Sequence, residues 1–181
     1  MGGEEERLSN LATLVVRLVR GGFLAGHGAQ KLFGSFEGPG IEGTTQMVES
    51  QGLKPPKPWA VLGGASEFGG GALTALGLLN PLGPIGVIAS MAMAAKTVHA
   101  GQPIWVTDGG AEFPVTNIAA ATALMLGGPG KYSLDRALGL RVPTWISFLA
   151  LVTVVLAVVY GPEDQAEQEP AGEESKGEPE A

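Results

Sequence analysis

The apolar residues of this chain are gathered into five long blocks, and that distribution limits its fold more than any motif does. A bilayer's hydrocarbon core, about 30 Å thick, is crossed by roughly 20 residues of helix. Residues 8–33, 59–79, 82–100, 112–126 and 143–160 each approach that length, and the last carries no charge. Asn80-Pro81 separates the second from the third, and Gly127-Gly128-Pro129-Gly130 ends the fourth. The 29 glycines and 13 prolines would weaken soluble helices. Membrane helices tolerate both residues, and small side chains let neighbouring backbones approach. The pattern predicts an all-α integral membrane four-helix bundle over residues 1–138, with a fifth transmembrane helix over 143–160. Gly63, Gly64, Gly70 and Gly71 are the expected packing face of the second helix.

Charge is as unevenly placed as hydropathy. Residues 161–181 hold eight acids and one base, Lys176, so the net charge of −7 belongs to this tail. The remainder is neutral, which argues against a nucleic-acid partner, because binding phosphates needs a basic surface. The tail lacks the apolar surface to offset chain entropy and is expected to be disordered. There is no cysteine, which excludes disulfides, thiolate nucleophiles and iron–sulfur clusters held by this chain. Glu4, Glu5 and Glu6 make a poor signal-peptide start, so the first helix is expected to be retained. Arg7, Lys131, Arg136 and Arg141 outnumber Lys54 and Lys57 across the bilayer, which places the N-terminus inside. The 34–58 connection would then lie outside, with a short interfacial helix over 44–51. Trp59, Trp105, Trp145, Tyr132 and Tyr160 fall at helix ends, as interfacial anchors do.

Ionisable groups inside the apolar blocks are costly and point to a site. With Arg20 set at zero and a turn of 100° per residue, His27 falls at about −20°, Lys31 at about +20°, Leu24 at about 40° and Arg17 at about 60°. Such a stripe must face the interior of the bundle. The first and third helices run in the same direction, so His27, Lys31, Lys96 and His99 lie towards the side opposite the N-terminus. Glu112 opens the fourth helix there, and Glu67 sits near the middle of the second. Pairing Lys31 and Lys96 with Glu67 and Glu112 would make the set neutral, as buried charges require. Arg17 and Arg20 have no evident acidic partner. The expected site is one cavity lined by His27, Lys31, Glu67, His99 and Glu112, with His27, Glu67 and His99 meeting any cofactor. Plainer roles compete: Lys31 can snorkel to the headgroups, and the histidines can be interhelical hydrogen-bond donors.

Four motifs in order resemble one family. Gly26-His27-Gly28-Ala29-Gln30-Lys31-Leu32-Phe33-Gly34 is similar to the first-helix signature of the DoxX family of bacterial and archaeal membrane proteins. Glu67-Phe68-Gly69-Gly70-Gly71-Ala72-Leu73 resembles its second-helix motif of an acid followed by glycines. His99 and Gly101, with Gly110-Ala111-Glu112, resemble its third loop. Gly128-Pro129-Gly130-Lys131-Tyr132-Ser133-Leu134-Asp135 resembles the segment that closes its fourth helix. The resemblance implies a four-helix membrane fold in the cytoplasmic membrane of a prokaryote. It also implies a respiratory or redox association, since related proteins include the DoxD-type subunit of thiosulfate:quinone oxidoreductase. The fifth hydrophobic segment and the acidic tail depart from the family pattern.

Three functions compete. The first is a redox-associated subunit that binds quinone or quinol, which needs an apolar pocket, hydrogen-bonding groups and a titratable relay. Its electrons would come from a soluble or membrane redox partner, because the chain carries no flavin or cluster motif. The second is a membrane scaffold for soluble redox or oxidative-stress enzymes. The third is a small proton-coupled transporter, which the lack of visible inverted repeats disfavours. A haem held between His27 and His99 stands well behind these.

Overall fold

The computed structural model describes residues 2–161, so the expected disordered tail lies outside the described residues. Seven helices follow in order: α1 Gly2–Phe33, α2 Gly40–Ser50, α3 Pro56–Leu76, α4 Leu82–Thr97, α5 Glu112–Gly127, α6 Leu134–Leu138 and α7 Thr144–Tyr160. There is no strand among the described residues. One turn of α1, Arg17–Gly21, is a π-helix. α1 stops at Gly34 and α3 at Gly77, both left-handed (φ +71° and +61°), a conformation that glycine adopts without a Cβ penalty.

Glycine decides how the helices meet. α3 is the central helix and packs on α1 along one face and on α4 along another. A Cβ on Gly21 of α1 would stand 2.5 Å from the Ala75 nitrogen, and one on Gly28 would strike the Phe68 backbone. From the α3 side, Gly64 meets Leu32, and Gly71 meets the Ala25 backbone. On the α4 face, Gly70 lies against Val87 and Gly86, while Gly83 lies against Thr74. These pairings run in opposite chain directions, so α1 and α4 are both antiparallel to α3. The expected face is therefore two faces, with one correction. Gly63 has open space around it, because one residue turns it about 100° away from Gly64.

α5 packs on α4 and returns to α1, so that Leu24 of α1, Val87 and Met91 of α4, and Ala121 of α5 form one buried core cluster. The Lys96 ammonium near the end of α4 donates to the carbonyls of Val158 (2.8 Å) and Gly161 (3.4 Å) at the end of α7. α7 therefore runs parallel to α4, and Gly161 lies at the end of the molecule opposite the N-terminus. α7 has no buried residue, and Phe148, Leu149, Val155 and Val159 are all exposed. Leu8, Leu11, Val15, Val19 and Phe23 likewise turn outward from α1. A contiguous apolar exterior marks a membrane or partner surface.

Sequence reasoning expected four or five crossings. Among the described residues, one helix, Gly2–Phe33, is both long and apolar enough to cross a membrane on its own. α3 has 21 residues, but its glycines and Glu67 dilute its hydropathy. α4, α5 and α7 have 16, 16 and 17 residues. At 1.5 Å per residue these three span about 24–26 Å. The connection after α1 folds back on the bundle: Thr44 of α2 is buried and its hydroxyl donates to the Lys31 carbonyl at 3.0 Å. Met47 points outward from α2.

Candidate functional site

The buried stripe of α1 runs Arg17, Gly21, Leu24 and Gly28, at the i, i+4, i+7, i+11 spacing of one helix face. Lys31 follows at the edge of that face and reaches across to α3. Its Nζ donates to Glu67 Oε1 at 2.6 Å, with side-chain exposures of 34% for Lys31 and 5% for Glu67. The two meet because Gly28 and Gly64 bring the backbones of α1 and α3 into contact one turn from each residue. The second carboxylate oxygen, Oε2, is buried with no hydrogen-bond partner among the described residues. Beside the pair lies a cavity of about 100 Å³ lined by Leu24, His27, Lys31, Glu67, Met91 and Phe113. A carboxylate in this position can accept a hydrogen bond or proton at Oε2, while Lys31 stabilises its charge and stays in partial contact with the exterior.

His27 stands on the exposed rim of the cavity. It lies about 60° round the helix from Leu24 and about 100° from Gly28, off the centre of the buried stripe. Its ring meets Phe113 edge-on, with centroids 5.9 Å apart, and Nδ1 is 3.2 Å from Gln30 Oε1. Phe113 and Met91 are cavity residues that sequence reasoning missed, since an apolar side chain in an apolar helix carries no signal of what it faces.

His99 and Glu112 do not line this cavity, contrary to expectation. His99 lies past the end of α4, and its Nδ1 contacts the Gly109 carbonyl at 2.6 Å. Glu112 sits one residue before Phe113, about 100° round the helix, and its Oε2 accepts from the Val106 nitrogen at 3.0 Å. Both residues shape the exposed 98–111 loop. Lys96 also has a different partner from the one expected. In place of Glu112 it holds the last carbonyls of α7, where a cation offsets the negative end of the helix dipole.

The arginines without evident acidic partners find oxygen acceptors towards the other end of the bundle, although Arg17 Nε is buried with no partner among the described residues. Arg17 is buried and donates to the carbonyls of Pro129, Ala75 (3.2 Å) and Tyr132 (3.0 Å). Asp135 accepts from the backbone nitrogens of Leu79 (2.8 Å) and Asn80 (2.7 Å), tying α6 to the α3–α4 turn. Arg20 reaches Asn117 Oδ1 of α5 at 3.4 Å. Among the described residues, no three His, Asp or Glu side chains converge as a metal site would require.

Helices closed by glycine contacts, an apolar exterior and a buried lysine–glutamate pair define a helical membrane-associated protein with an internal polar site. Residues 12–100 match the DoxX family model, and over that span the chain is similar to DoxX membrane proteins. The match runs from within α1 to just past the end of α4 and takes in His27, Lys31 and Glu67; α5, α6 and α7 lie beyond it. No curated protein and no solved structure matches the chain.

Proposed function

We propose that this is a multi-pass protein of a prokaryotic cytoplasmic membrane that serves a redox system by binding quinone or quinol at Lys31 and Glu67. In this reading α1, α3, α4 and α5 form the DoxX membrane bundle, and α7 is a fifth crossing. The exposed apolar faces of α1 and α7 support the membrane placement.

One observation carries the site: a buried carboxylate oxygen of Glu67 has no partner and adjoins a cavity with a histidine and an aromatic ring at its mouth. A buried acceptor without a donor is costly, so a hydroxyl-bearing ligand gains by supplying one. The fit is to one edge of a quinol. A dry cavity of about 150 Å³ holds benzene, and this one measures about 100 Å³. When bound, a quinol would supply electrons and protons. Glu67 would accept a hydrogen bond from its hydroxyl, Lys31 would hold the carboxylate in place, and Phe113 and Met91 would shield the pair from water. The electrons would be exchanged with a soluble or membrane redox partner, because the chain has no cysteine to ligate a cluster.

The test is binding of a short-chain quinone by the full chain in lipid nanodiscs, measured by solvent extraction after washing. Retention above empty nanodiscs is expected, with about tenfold weaker binding in Glu67→Gln at unchanged helix content. Equal retention by the variant, or none by the native chain, would overturn the reading. The small cavity volume favours the scaffold or proton-coupled readings as the successors, with the cavity holding only a few waters.

A further inference from the structure

A second cavity lies far from Glu67, at the end of the bundle that carries the N-terminus. It measures about 560 Å³, within the range of roughly 300–1,000 Å³ typical of ligand sites, and is more than five times the volume beside Glu67. Three connections converge to build it. Asn80 comes from the α3–α4 turn, Pro129 from the α5–α6 turn, and Asp135, Arg136 and Arg141 from α6 and the strand of chain leading into α7.

The charge balance of this cavity is decided by its hydrogen bonds. Both oxygens of Asp135 are taken up by the backbone nitrogens of Leu79 and Asn80. Asp135 also lies within Coulombic reach of the buried Arg17. Its negative charge is therefore spent on holding the floor together. Arg136 and Arg141 are exposed, and neither makes an ion pair among the described residues. Gly161, where the acidic tail begins, lies at the opposite end of the bundle beside Lys96. A cavity with two guanidinium groups and a neutralised acid calls for an anion, and guanidinium is the side chain best matched to phosphate oxygens. The depth fits as well. Tyr132 and Trp145, both exposed, flank the cavity in sequence, and such aromatic residues sit at the headgroup level of a bilayer.

We propose that this cavity is a binding site for a phosphate group carrying net negative charge, supplied by an anionic phospholipid headgroup or by free phosphate, with Arg136 and Arg141 as its ligands. The site stands apart from the quinone reading and needs nothing from Glu67.

The experiment uses the full chain purified in mild detergent. Native mass spectrometry counts retained phosphatidylglycerol against phosphatidylcholine, and calorimetry measures inorganic phosphate. Preferential retention of phosphatidylglycerol, reduced about fivefold for each arginine replaced in Arg136→Gln and Arg141→Gln, establishes the lipid source. Binding of inorganic phosphate that the same substitutions abolish, with no preference between lipids, establishes the free ion. Lys54→Gln/Lys57→Gln, at the other end of the molecule, removes equal charge and should change neither measurement. Loss of retention in that control, or full retention in Arg136→Gln/Arg141→Gln, would show that no site exists here. Circular dichroism of each variant separates lost binding from lost fold.

Discussion

Replacing Lys31 by methionine strips a buried carboxylate of its cation while keeping the length of the side chain. At the 2.6 Å separation of the pair and an effective dielectric constant of about 20, the lost attraction is about 6 kcal/mol. The protein need not lose all of it. Relaxation and water penetration around the unpaired carboxylate recover part of it. Lys31 is 34% exposed, so water reaching its vacated place lowers the figure further. Lys31→Met should therefore destabilise the protein by about 3 kcal/mol, at the lower end of what breaking a buried pair does. Lys31→Met/Glu67→Met removes both charges and should return to within about 1 kcal/mol of the native chain, because apolar replacements of a buried pair are often neutral. The measurement is unfolding in mixed micelles with increasing dodecyl sulfate, followed by far-ultraviolet circular dichroism. A loss below about 1 kcal/mol, the range of an exposed pair, would refute the burial argument. So would a double variant as unstable as Lys31→Met.

Three other outcomes are expected. Gly28→Val should destabilise by about 3 kcal/mol in the same titration, since its side chain must displace the Phe68 backbone, whereas Gly63→Ala, in open space, should be neutral or slightly stabilising. Lys96→Met should loosen only the end of α7, seen as faster hydrogen exchange at residues 157–161, with a global loss of about 1 kcal/mol. Cysteines at Ser50 and Lys131, in a chain that has none of its own, should be labelled from opposite sides of the membrane; labelling of both from one side would remove the proposed bundle topology.

The Lys31–Glu67 pair was legible in the sequence for an electrostatic reason. Two opposite charges in apolar helices that can meet have few alternatives to each other, and the glycines around them announce a close approach. The placement of His99 and Glu112 was not legible, because cavity membership turns on a helix ending two residues before His99 and on the 100° between Glu112 and Phe113. Lys96 and Arg17 show the same limit. Their partners are main-chain carbonyls at helix and loop ends, which every sequence possesses and none displays. Asp135 was visible within a motif, but its task of binding the α3–α4 turn appears only once the turns are side by side.

Local chemistry alone settled that the chain is helical, where most helices begin and end, and which residues would be expensive to bury. Hydropathy, proline and glycine act within a few residues of themselves, so these features can be read along the chain. Only the tertiary structure decided that α3 has two glycine faces, that α7 runs parallel to α4, and that the arginines of α6 and its connection to α7 share a cavity with Asn80. Those outcomes depend on the rotation of each helix about its axis and on which carbonyls lie in reach. Both are fixed by packing between residues distant in sequence.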